Sequence, residues 1–252
     1  VTTQYATSAN LAARASIYRF QEPAGDLVGD VLDLVDWPPG GRAVDLGCGA
    51  GPYLQRLTGQ ADVVAVGLDL SEGMAREARQ ASGAPTVVGD IESLPFPDAS
   101  VDRVLAPHVL YHCAGLERAV AELRRVLAPG GVALVVTNGA DHLSRFRDLR
   151  RQGIGADPGL IFDRFTLEKA EPLLRRHFDD VTVHHRFGNL VVPTVEPVLA
   201  YVDSARDVFE PGLPPGMTWE QVLDTVEADV AAEIAEHGAF RCPVHSGTLV
   251  CR

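Results

Sequence analysis

Residues 44–51, Val-Asp-Leu-Gly-Cys-Gly-Ala-Gly, constrain this chain more than any other stretch. Three glycines at alternate positions follow directly on the apolar run Ala43-Val44-Asp45-Leu46. That pattern calls for a strand that ends in a tight turn and re-enters the fold as a helix. Glycine lets the backbone adopt positive φ and approach a ligand with no Cβ in the way. In an open α/β sheet such a turn marks the ligand crevice beyond the strands' carboxyl ends. Dinucleotide-binding loops have related spacing, so the glycines alone do not name the ligand.

The apolar periodicity around the turn alternates between helix and strand, as an α/β fold requires. Leu27, Val28, Val31, Leu32 and Val35 recur at helical spacing up to Trp37-Pro38-Pro39-Gly40. Residues 62–69 are nearly all apolar and rich in valine, which suits a strand buried on both faces of a parallel sheet. Ser71 is placed as the N-cap of a helix through Ala81, with Glu72 in its first turn. Thr86-Val87-Val88, residues 101–106 and residues 132–136 give three more strands. A helix stripe of Leu116, Val120, Leu123, Val126 and Leu127 stops at Pro129-Gly130-Gly131. Beyond residue 139 the pattern loosens. Helices are expected at 167–177, 198–202 and 219–234, and short strands at 181–183 and 248–250. The chain, 1–252, reads as one domain with a core at 22–138 and insertions at 139–165 and 189–240.

Composition narrows the function classes. Acidic residues outnumber basic ones by 34 to 22, a formal net charge of −12, and that field disfavours a phosphate backbone as partner. The densest basic stretch, Arg145, Arg147, Arg150 and Arg151, is accompanied by Asp141 and Asp148 and reads as a solvated helix face. No apolar run is long enough to cross a membrane, and the first twenty residues, with Gln4, Arg14 and Arg19, do not read as a secretory signal. Cys48, Cys113, Cys242 and Cys251 form no CxxC pair and are expected as free thiols in a reducing cytoplasm. The spacing of Cys242, His245 and Cys251 fits no common zinc pattern, so no metal is expected.

Three aspartates single out a ligand. Asp45 stands two residues before the first glycine, where a carboxylate meets an ammonium group and a pyrophosphate would be repelled. Asp69 ends the next strand, where a carboxylate accepts both ribose hydroxyls of an adenosine; NAD sites share that acid. Gly89-Asp90-Ile91 ends the third strand, where an acid accepts the adenine amino hydrogens. An amine, a ribose diol and an adenine amino group, read in order along one sheet edge, describe S-adenosylmethionine.

Residues 41–138 closely resemble the class I S-adenosylmethionine-dependent methyltransferases, above all the branch typified by ubiquinone and menaquinone biosynthesis. The matching stretches are VDLGCGAG (44–51), GLDLSEGM (67–74), GDIESLPFPDASVDRVLAPHVLYH (89–112) and ELRRVLAPGGVALV (122–135). The resemblance implies a three-layer Rossmann-like sandwich with a mostly parallel seven-stranded sheet, an antiparallel last strand and a small helical cap. It assigns Asp45 and Gly47 to the methionine end, and Cys48, Gly49 and Gly51 of the same turn count as cofactor-binding. Asp69 goes to the ribose, Asp90 and Ile91 to the adenine, and Leu70 to packing on the adenine face. Ala106 and His108, at the end of the fourth strand, belong to the same set. Residues 1–21 resemble a lead-in lid, in which Tyr5 would cover the sulfonium and Arg14 would meet the methionine carboxylate.

Methyl transfer is an in-line displacement, so the protein chiefly orients the reactants, and a base is needed only for a protonated acceptor. His108, His112 and His142 stand near the relevant strand ends and are the candidate bases. The Asn/Asp-Pro-Pro-Tyr signature of amino-methylating DNA enzymes is absent, and no carboxylate set of the magnesium-dependent catechol type is evident. Phe146, Phe162, Phe165, Leu190, Tyr201, Phe209, Met217 and Trp219 are candidates either for an apolar acceptor pocket or for core. The expected activity is O-methylation of a small organic molecule of specialised metabolism, with S-adenosylhomocysteine as by-product. N- or C-methylation, a non-methylating cyclisation or rearrangement on the same fold, and an NAD-dependent oxidoreductase are the competing readings. The expected partner is the small-molecule substrate, without nucleic acid or membrane; a homodimer is left open.

Overall fold

The structure is a computed structural model that describes residues 14–59, 62–155 and 161–252. Its elements in chain order are β1 (Gln21–Glu22), α1 (Leu27–Leu32), β2 (Arg42–Leu46), α2 (Pro52–Thr58), β3 (Val64–Asp69), α3 (Glu72–Ser82), β4 (Thr86–Val88) and β5 (Val101–Pro107). There follow α4 (Leu116–Val126), β6 (Leu127–Asn138), α5 (Ser144–Ile154), α6 (Leu167–Leu174), β7 (Val181–Val192), α7 (Glu196–Asp203), α8 (Arg206–Phe209), α9 (Trp219–His237) and β8 (Phe240–Cys251).

The strands form one sheet in the order β1-β7-β8-β6-β5-β2-β3-β4. β2 through β6 pair in parallel, whereas β8 inserts antiparallel between β6 and β7. The Rossmann-like methyltransferase architecture is therefore as expected, including its antiparallel last strand. The expected seven strands become eight because Gln21–Glu22 adds a two-residue edge strand to β7.

Side chains of the central strands alternate between two cores, as a period of two demands. Val44, Val104 and Ala106 face Val120, Leu123 and Val126 of α4, with Leu174 of α6. Ala43, Leu105 and Leu134 face Leu32 of α1 and Leu54 and Leu57 of α2. Fully burying one such leucine contributes about 1.5–3 kcal/mol. Local signals set the helix ends: the Asp26 carboxylate accepts from Gly29 N–H, Pro52 opens α2, and Ser71 caps α3.

A third cluster lies outside this sandwich, where Phe146 and Leu149 of α5, Val198 and Val202 of α7, and Trp219, Val222 and Val226 of α9 pack together. Its floor is the extension of β7 and β8. Each runs twelve residues where the sequence shows about three, and they pair along their whole length. Polar residues such as His184, His185, Arg186 and Asn189 hide β7, and the pairing with β8 overrides them. The expected helix at 167–177 ends at Leu174, and that at 27–35 ends at Leu32.

The arginine-rich stretch is not a wholly solvated face. Arg150 is only 4% exposed and lies over the Phe209 ring, and Arg145 pairs with Glu233 at 2.7 Å. The four cysteines are buried and free. Cys242 and Cys251 stand opposite Leu190 and Val181, nine residues apart on one strand, so they cannot share a metal with His245.

Candidate active site

The carboxyl ends of β2, β3, β4 and β5 surround a cavity of about 590 Å³. A second recess, about 340 Å³ and polar, lies by Arg103 and Arg252 at the opposite edge, away from the glycine turn. In parallel sheets ligands bind at the carboxyl edge, and the larger cavity is there.

Gly47 and Gly49 line this cavity with φ of +66° and +53°. A Cβ on Gly47 would stand 2.2 Å from Val109 Cγ2, whereas one on Gly49 would meet nothing within 4 Å. The first glycine is required by packing; the second leaves bare backbone facing the cavity. Gly51, φ +84°, sits behind the turn against Ala78 as the cap residue of α2.

Asp69 ties the turn to β3. Its carboxylate accepts from Gly49 N–H at 3.0 Å and from Ser71 N–H at 2.8 Å. A carboxylate has about four lone-pair positions, so capacity remains for a ribose diol. Asp90 accepts from Glu92 N–H at 2.9 Å and lines the cavity beside Ile91. Leu70 is 55% exposed, an apolar side chain on the cavity wall.

Asp45 is fully buried and neither carboxylate oxygen has a hydrogen-bond partner among the described residues. Burial, then the nearby Asp69, pushes its carboxyl up to about 8. It stands behind the cavity lining, as does Ala106, which is wholly buried. Tyr53 Oη is orphaned in the same way, and its phenol is held well above its usual range by burial and by Asp45. A buried anion without a partner is costly. The unsatisfied acid, the bare glycine backbone and the two further acids along the rim fit a ligand with an ammonium group, a diol and an adenine.

His108 and His112 both line the cavity. His108 adopts φ +53°, uncommon for a non-glycine residue, while its N–H donates to Val136 O. Burial pushes both imidazoles down to about 4, and for His112 positive charge, including Arg14 and Arg164, adds to the effect. His142 is only 2% exposed, off the cavity wall, and burial, reinforced by His108, pushes it down to about 3. It hydrogen-bonds to Tyr18 and to the backbone of His245.

Arg14 donates to the carbonyl of Ser204 at 3.0 Å, an anchor within the cap segment. Tyr5 lies outside the described residues. Of the candidate aromatic pocket, Phe146, Phe165, Phe209 and Trp219 are core, 5% exposed or less, and none lines the cavity. Sequence reasoning missed Tyr53, Met74 and Glu92 as lining residues. Tyr53 and Met74 carry a faint signal, in the first turn of the helix after each cofactor-side strand.

Residues 44–135 match the family described as a methyltransferase domain. That stretch, which holds the glycine turn and both rim aspartates, is thus similar to methyltransferase domains. A malonyl-[acyl-carrier protein] O-methyltransferase of Serratia marcescens is 40% identical over 115 residues, 45% of each chain. The chain therefore spans less than half of that curated relative. Among solved structures, an Anabaena variabilis protein described as a methyltransferase of an antibiotic biosynthesis pathway aligns with a TM-score of 0.63 at 17% identity, covering 90% of this chain and 96% of its own. A Haemonchus contortus phosphoethanolamine N-methyltransferase, solved with S-adenosylhomocysteine, gives 0.61 at 17% identity over 99% of this chain and 58% of its own. At those identities the likeness is one of fold. No helix among the described residues is long and apolar enough to cross a membrane.

Proposed function

We propose that the chain transfers the methyl group of S-adenosylmethionine to an oxygen of a small organic molecule of specialised metabolism. The observation that carries this reading is the juxtaposition, on one cavity, of the glycine turn and two aspartates with two recessed neutral imidazoles. Bound there, S-adenosylmethionine supplies a methyl carbon made electrophilic by its sulfonium. Gly47, Gly49, Asp69 and Asp90 would hold and orient the cofactor, Asp45 would balance its ammonium group, and Leu70 and Ile91 would exclude water from the adenine. His108 and His112, uncharged at neutral pH, add no positive charge beside a cationic ligand. Either can take the proton of a hydroxyl acceptor, though a conjugate acid near 4 makes a weak base. An acceptor oxygen already ionised, such as a carboxylate, needs no base.

The O-methylating relative supports oxygen as the acceptor atom. The methyltransferase-domain match, residues 44–135, falls outside both insertions. Acceptor choice therefore belongs to the lead-in residues 1–21 and the insertions at 139–165 and 189–240.

The test is incubation with S-adenosylmethionine and a panel of carboxylic acids, phenols and amines, read by product mass. One added methyl on an oxygen acceptor, with release of S-adenosylhomocysteine, is the expected result. Methylation of amines alone, or a rearranged product of unchanged mass, would sink the proposal.

A further inference from the structure

A hydrogen-bonded chain runs through the junction of core and cap and ends in one hydroxyl. The Asp141 carboxylate meets His245 Nδ1 at 2.5 Å, and His245 Nε2 lies 3.0 Å from His185 Nδ1, fixing that ring at both nitrogens. Gly139 is needed beneath it, because a Cβ there would fall 2.1 Å from His245 Nδ1. The His245 backbone N–H then donates to His142 Nδ1 at 3.2 Å. Neighbouring bonds stitch the same loop to β8, from Gly139 N–H to His245 O and from Leu143 N–H to Pro243 O.

A neutral imidazole carries one proton. With Nδ1 accepting from backbone, the proton of His142 is on Nε2, and Nε2 donates to Tyr18 Oη at 3.0 Å. The phenol's own proton must therefore point elsewhere. No acceptor for it is found among the described residues. The Tyr18 phenol stays protonated, held well above its usual range by burial and then by the nearby hydroxyls of Tyr201 and Tyr111. Tyr111 lines the cofactor cavity, and Tyr201 belongs to the cap cluster. Tyr18 is nevertheless 37% exposed, close to one tyrosine of the cavity wall and one of the cap. Its neighbours Ile17 and Phe20 pack into the cap cluster and anchor the segment.

We infer that Tyr18 donates its hydroxyl hydrogen bond to the oxygen of the methyl acceptor, and that His142 is a positioning residue that aims it. This rests on the oxygen-methylating reading above. Both nitrogens of His142 are engaged, so its part is not proton removal. The ligand chemistry implied is an oxygen bearing negative charge, a carboxylate or a phenolate.

Benzoate and 4-nitrophenolate, titrated into the S-adenosylhomocysteine-saturated 252-residue chain, test the assignment. Calorimetry reads both probes, and the nitrophenolate absorbance reads the second independently. Tyr18→Phe should weaken probe binding at least about tenfold, the value of a hydrogen bond to a charged group. His142→Ala should weaken it to a lesser degree and His142→Gln, whose amide can still donate, should restore part of it. S-adenosylhomocysteine affinity should stay within about twofold of wild type throughout, which a general loss of structure would not allow. Equal probe affinity in wild type and Tyr18→Phe, or no binding of either probe to wild type, overturns the inference. If the probes bind in a Tyr18-dependent way while no oxygen acceptor is methylated, the transfer reading fails and the donor assignment stands.

Discussion

In the cofactor half, the acids that matter are held by backbone amides no more than twenty residues away. Asp69 is held by the Ser71 and Gly49 amides, Asp90 by that of Glu92, and Gly47 by its own turn. In the cap half, Tyr18 meets His142 across 124 residues, His142 meets His245 across 103, and Arg14 meets Ser204 across 190. The first site is made of backbone geometry, which a short motif can specify. The second is made of side chains that only the completed tertiary structure brings together. An enzyme that keeps one cofactor and varies its acceptor benefits from that division, because loops and insertions change without disturbing the turn.

The largest break in the contrast should come from Gly47→Ala. A left-handed residue costs about 1–2 kcal/mol and overpacking against Val109 about 1–3 kcal/mol more. Thermal unfolding should register that loss, and calorimetry should show S-adenosylmethionine affinity down at least about thirtyfold. A variant with wild-type affinity would show that the turn is not specified by its glycine. Asp69→Ala comes next, expected to weaken the cofactor about ten- to a hundredfold by removing both carboxylate-to-amide bonds. Unchanged affinity would remove the ribose assignment.

A third test sharpens the account of Asp45 through pH. In the ligand-free protein its carboxyl keeps a proton up to about pH 8, whereas in the unfolded chain it loses it near pH 4. Folding thus takes up a proton between those values, and stability falls as pH rises through them. Urea midpoints of the wild type should drop from pH 5 to pH 8 more steeply than those of Asp45→Asn. Parallel slopes would mean that Asp45 is not the buried acid at issue. The smallest effect belongs to the cap: Trp219→Phe loses the Nε1 bond to Asp203 at 2.8 Å, about 1 kcal/mol, and should leave S-adenosylhomocysteine affinity unchanged. A matching fall in cofactor affinity would show that the two halves are not separable.

Most of the core was legible because its signals are local. Valine-rich strands, the Ser71 cap and the glycine turn each follow from a few adjacent residues, and β2 to β5 appear where periodicity puts them. By contrast, β6 starts already at Leu127 and runs through the Pro129-Gly130-Gly131 stretch read as a stop. Strand lengths were less so: β7 is disguised by four polar residues, and only its pairing with β8 along twelve positions makes it a strand. The aromatic residues of the cap were visible as a set but not as core or wall, since Phe146 and Trp219 take their burial from helices far apart in sequence.

By itself the sequence determined the α/β sheet, the carboxyl-edge crevice and the acids Asp69 and Asp90 that rim it. Tertiary structure alone decided that Asp45 lies behind the wall without a hydrogen-bond partner among the described residues, that Arg150 is buried, and that His142 is turned toward Tyr18. The physical reason is range. Backbone conformation and strand-end placement answer to neighbours in the chain, whereas burial, protonation and the aim of a side chain answer to neighbours in space.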